Sequence, residues 1–233
     1  MSRLRVFFVV SSAVLLAGCE SVGDVVNKHR PAVQRVFGQL QALAPKVKTL
    51  EPLTEAKVKT PTPLLLEGPG ANAMFIYAED LAKPGDALPV HLRTIDSLPL
   101  LQCGALLEKG QYFADNITRT KPSVVDSYLS DCARLRYALI IVEREFKQPE
   151  LTLITKSFTS GLYRADVLVF DLTDGAFLGG YPMSAKNDDS VSLFDADPDH
   201  RKRLLSNLES TIFTALRDGA RAALPGSLPE KPK

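Results

Sequence analysis

Along the chain the apolar side chains fall into two rhythms. Val22, Val26, Val33, Val36, Leu40 and Leu43 recur at steps of three, four or seven, which draws a stripe along one face of a helix. Pro31 suits a first turn better than a helix interior and Pro45 is a helix breaker, so the spacing predicts a helix over residues 31–43. Residues 46–63, rich in lysine, threonine and proline, read as a tether, and a folded domain is expected from Leu64 onward. Residues 73–78 form a short apolar run between glycine and proline breakers, a first strand. Helical spacing returns over residues 98–108, where Leu98, Leu101 and Ala105 share a face with Cys103 at its margin. It returns again from Pro122, where Val124, Val125, Tyr128, Leu129 and Cys132 form one stripe.

The second rhythm belongs to residues 135–185. Apolar or alternating runs at 137–142, 151–158, 165–172 and 177–183 are separated by Pro149, Gly161 and the hairpin signal Asp174-Gly175. They predict four consecutive strands in an antiparallel meander. Gly179-Gly180 marks a bulge or a close approach, and Pro182 suggests an edge. After an acidic loop, Asp197-Pro198 caps a long helix to about residue 223, with Leu204, Leu205, Leu208, Ile212, Leu216 and Ala220 toward the sheet and Gly219 as a small cost near its end. Residues 225–233 read as a disordered tail. The expected fold class is α+β: a mainly antiparallel sheet of about five strands, a size in the usual range, with helices packed on it and an N-terminal helix and tether.

The first residues obey neither rhythm. Arg3 and Arg5 precede an apolar block that ends in the small residues Ala17 and Gly18, the layout of a cleaved signal peptide. The block is too short to span a hydrocarbon core, which needs roughly 20 residues. Leu16-Ala17-Gly18-Cys19 resembles the lipobox of bacterial lipoproteins, matching it at every position. That resemblance implies diacylglyceryl transfer to Cys19 and cleavage before it, leaving a chain held stably on the membrane by two or three acyl chains. Glu20 after the cysteine, where inner-membrane retention would want aspartate, favours the outer membrane facing the periplasm. The resulting organisation is a signal peptide over 1–18, a lipid anchor, amphipathic helix and tether over 19–63, a periplasmic domain over 64–224 and the tail. At fold level the region after Leu64 loosely resembles small periplasmic domains of outer-membrane lipoproteins that assist assembly or activate cell-wall synthases.

Composition narrows the chemistry. Cleavage would leave 26 basic against 27 acidic residues, a near-neutral balance that argues against nucleic acid and against electrostatic binding to anionic lipid. With Cys19 carrying lipid, Cys103 and Cys132 remain in an oxidising compartment, where one disulfide is the simplest outcome; a metal pair or catalytic thiol lacks the partner spacing it would need. His29, His91 and His200 stand apart from one another, with no zinc spacing. Asp188, Asp189, Asp195, Asp197 and Asp199 suggest a calcium loop only in part, because His200 and Ser206 occupy the positions for the loop glycine and the bidentate glutamate. A solubilising loop and helix cap account for them better, so no metal or cofactor is expected. No serine-nucleophile motif occurs. The leading expectation is a non-catalytic lipoprotein that binds another envelope protein. Two alternatives stand beside it: a hydrolase of peptidoglycan or lipid using carboxylates such as Glu143, Asp166 or Asp171, and a binder of a small hydrophobic ligand between sheet and helix.

Overall fold

A computed structural model describes residues 20–60, 62–68, 70–82, 98–109, 121–152, 157–188, 191 and 200–229. Its centre is a five-stranded sheet in the order β1-β7-β6-β3-β2, built from β1 (Lys57–Val58), β2 (Ala73–Tyr77), β3 (Tyr137–Lys147), β6 (Leu162–Asp171) and β7 (Ala176–Lys186). All pairings are antiparallel except β2 with β3, which run parallel because the chain passes through α2 (Leu98–Lys109) and α3 (Pro122–Ala133) between them. The meander therefore holds for β3, β6 and β7. The run at 151–158 departs from expectation: β4 (Glu150–Thr152) and β5 (Ser157–Thr159) pair only with each other as a separate two-stranded ribbon. Alternation looks the same in a ribbon as in a sheet, so the pattern alone could not separate the two.

Each face of the sheet carries its own core. Ala138, Ile140, Leu168 and Phe170 meet α1 (Val22–Lys48), α2 and α3 on one side. Leu139, Val167, Val169 and Tyr181 meet α4 (His200–Ala223) on the other. Here the helix expected at 31–43 needs correction. It runs over 27 residues and begins with a capping box, in which Ser21 and Asp24 satisfy each other's main-chain amides. Val25, Val26, Val33, Val36, Leu40, Leu43 and Val47 are all buried, while Pro31 and Pro45 both lie on the exposed side, where water can take the carbonyls they release. The folded unit thus starts near Ser21 and not at Leu64.

The stretch read as a tether is laid along the sheet. Leu53 N–H donates to the Asp166 carboxylate at 3.2 Å, Lys59 N–H to Leu178 O at 3.0 Å, and Thr62 meets the Tyr137 hydroxyl. Lys57 and Val58 pair with Gly180 and Gly179, so β7 is covered there, and among the described residues no strand pairs with its outer side from Pro182 onward. This close approach is what the glycine pair permits. Gly179 sits at φ 111°, and a Cβ on either glycine would collide with main-chain oxygen of Lys57 or Val167. The β6–β7 register also shifts next to it, between Val169 and Phe170, so the expected bulge is present as well. The tail is ordered as far as it is described: Leu224, Ser227 and Leu228 are buried, and Leu66 N–H donates to Ser227 O at 2.8 Å. Residues 230–233, like the cap at Asp197-Pro198, lie outside the described residues.

Cys103 and Cys132 form the expected disulfide, joining α2 to α3. At the far side, fully buried Asn187 accepts from Gly161 N–H at 2.9 Å and donates to Leu204 O at 2.7 Å, which ties the end of β7 to the first turns of α4.

Candidate functional site

The carboxylates proposed for hydrolysis are not gathered into one site. Asp166 and Asp171 are five residues apart on β6, about 16 Å along a strand. Both are buried, and each has its own arginine. Arg144 Nε lies 2.7 Å from Asp166. Arg136 donates twice to Asp171, at 3.1 and 3.0 Å. Burial pushes the Asp171 carboxyl up, but the Thr173 amide and the Arg136 guanidinium outweigh it and hold it below the usual carboxylate range. Glu143 is exposed beside the register shift in β3. Two of the three are therefore spent on ion pairs, Asp166 within β6 and Asp171 at its end.

The histidines and acids follow the same pattern. His29 Nε2 sits 2.8 Å from Asp126 of α3, bracing α1, and His200 opens α4. Asp188 accepts from the Asn207 side-chain amide at 2.8 Å. His91, Asp189, Asp195, Asp197 and Asp199 lie outside the described residues, as does Cys19. Among the described residues no group of three His, Cys, Asp or Glu side chains could hold a metal, and no helix is long and apolar enough to cross a membrane.

What the fold does build is a cleft of about 340 Å³ at the outer edge of β2. Its walls come from three directions. Met74 and Phe75 of β2 form the floor, and Tyr128, Cys132 and Leu135 of α3 with its exit form one wall. Phe213 and Arg217 of α4 form the other. Leu66 and Leu228 close one end. Phe213 is one of the exposed large apolar side chains of the described residues, at 38 %. The Arg217 guanidinium, one helical turn on, lies 5.2 Å from its ring centre. Arg217 in turn grips the Glu67 carboxylate with both terminal nitrogens.

Among the described residues β2 is the outermost strand on this side of the sheet. Asn72 O accepts from Tyr137 N–H at 3.0 Å, so the alternation of a parallel ladder turns the main chain of Met74 and Ile76 toward β3 and that of Ala73 and Phe75 outward. Ala73 N–H is taken by Leu65 O at 3.1 Å. Among the described residues no strand pairs with the outward amide and carbonyl of Phe75. An unpaired edge beside an apolar slot offers main-chain bonds and a side-chain pocket together.

Sequence reasoning missed this site in two parts. Phe213 was legible as a phenylalanine one step off the Leu208, Ile212, Leu216 stripe. The Glu67–Arg217 pair spans 150 residues of chain and left no local signal. No protein-family model, curated protein or solved structure matches the chain.

Proposed function

We propose that the chain is a lipoprotein of the bacterial cell envelope, anchored through Cys19 on the periplasmic side of the outer membrane, whose non-catalytic domain binds an extended segment of another envelope protein along β2. The anchor is supported by Leu16-Ala17-Gly18-Cys19, and the mode of binding by the open main chain at Phe75 beside the cleft. Of these the strand edge carries most, because it supplies affinity through main-chain bonds while the cleft selects an apolar side chain. Glu67 and Arg217 at the rim would fix register. The spent carboxylates of β6 support a binding module over a hydrolase.

A photo-crosslinking residue placed at position 213 in intact cells tests this, with position 177 as control; Phe177 is similarly exposed, at 42 %, on the β6–β7 hairpin away from the cleft. The expected result is an adduct to one protein from position 213 and none from position 177. Adducts that are absent, or identical from both positions, would overturn the reading. The cleft volume also lies in the range of small-molecule pockets. Recovery of a bound hydrophobic molecule from the purified protein would therefore replace the protein partner with a ligand.

A further inference from the structure

Between Asn27 and Lys48 the chain carries Lys28, Arg30, Arg35, Lys46 and Lys48, and no aspartate or glutamate. The near-neutral balance of the whole chain conceals this. The structure turns that stretch into a surface, since one side of α1 is buried in the core and the other is exposed among the described residues. At 100° per residue, Lys28, Arg35 and Lys46 fall along one margin of the bare face, and Arg30 and Lys48 along the opposite margin. Uncharged Gln34, Gly38 and Gln41 lie between them, as does the exposed Asp24 of the first turn. Asp126 pairs with Lys28 at 2.9 Å and lies against His29. Lys46 Nζ donates to Gly175 O, a neutral group that leaves its charge uncompensated. Among the described residues no ion pair involves Arg30, Arg35, Lys46 or Lys48.

We infer that this bare face of α1 lies on the surface of an anionic phospholipid bilayer, with Arg35, Lys46 and Lys48 against the headgroups. The inference rests on the anchor proposed above. Only Glu20 and Ser21 separate Cys19 from Val22, so the first helical residue lies within about 11 Å of the lipidated one. Because α1 is part of the core along its length, the domain cannot rise on a flexible stalk, and the bilayer becomes its nearest neighbour. A helix face that is uncharged over its central turns and cationic at its margins, with Asp24 of the first turn its one acid, suits an interfacial position held by attraction to anionic lipid. As α1 and α4 cover opposite faces of the sheet, this pose turns α4 and Phe213 away from the membrane, toward a periplasmic partner.

The test uses residues 19–233 made without acylation, a chain that holds every described element. It is sedimented with vesicles of phosphatidylcholine alone or of phosphatidylcholine with phosphatidylglycerol. Binding is expected only with phosphatidylglycerol, and it should weaken as salt is raised. Each cation lost at an anionic surface weakens binding roughly fivefold, so Arg35→Glu with Lys48→Glu should weaken it by roughly twentyfold or more. Arg35→Gln with Lys48→Gln serves if the reversal disturbs the fold by circular dichroism. Equal binding to both vesicle types, or full binding by a folded double variant, would overturn the inference. The outcome separates from that of the anchor: an unacylated Cys19 in cells removes the anchor, whereas absent vesicle binding with an acylated Cys19 removes only this pose.

Discussion

Replacing Cys103 and Cys132 together by alanine is expected to cost about 3–4 kcal/mol of stability and to lower the melting temperature by on the order of 10 °C for a domain of this size. The bond closes a loop with a sequence separation of 29, and its loss returns that loop's freedom to the unfolded chain. Both sulfurs sit in the core, with Cys103 fully buried and Cys132 nearly so. Truncation therefore also leaves unfilled space between α2 and α3. Cys132 forms part of the wall of the β2 cleft, so the same variant should lose the crosslink from position 213 before it unfolds. Thermal scans of the oxidised protein and the variant decide the matter. Coincident melting curves would mean that the helical pair is held by packing alone.

Gly219→Ala is expected to destabilise by about 2 kcal/mol, against the sign that helix propensity predicts. In an exposed helix the change would gain roughly 1 kcal/mol. Here a Cβ would stand 2.6 Å from Cε2 of Tyr181, whose ring is buried. The ring cannot retreat cheaply, because its hydroxyl donates to Leu216 O at 3.1 Å within the same helix. The glycine that reads in sequence as a small defect near the end of α4 is the position that lets the helix close onto β7. Denaturant titration of the variant checks this. A stability gain would show that the helix can shift and that the contact is loose.

These contrasts show which signals survive in a single sequence. α3 and α4 are legible because each buries a periodic stripe, the central strands because cover on both faces leaves a continuous apolar run, and the disulfide because two cysteines remain once Cys19 is set apart. The start of α1 was legible too, in Ser21 followed by Asp24, but Pro31 obscured it, since a proline on a solvated face is far less disruptive than one against a core. The strap over residues 49–60 left no trace because it is bound through main-chain amides such as those of Leu53 and Lys59, which any residue supplies. The parallel pairing of β2 depends on the crossover through two helices and not on anything within the strand. The cationic face of α1 was present as a run without acids, yet it became meaningful only once the helix was known to extend through Lys48.

The central claim is the anchor proposed at Cys19, three residues before Val22, the first residue of α1. Mass spectrometry of the N-terminal peptide from protein extracted with the cell membranes tests it most directly. The expected peptide begins at Cys19 and carries the mass of a diacylglyceryl group on its sulfur. A peptide beginning elsewhere, or at Cys19 with an unmodified thiol, would contradict the claim.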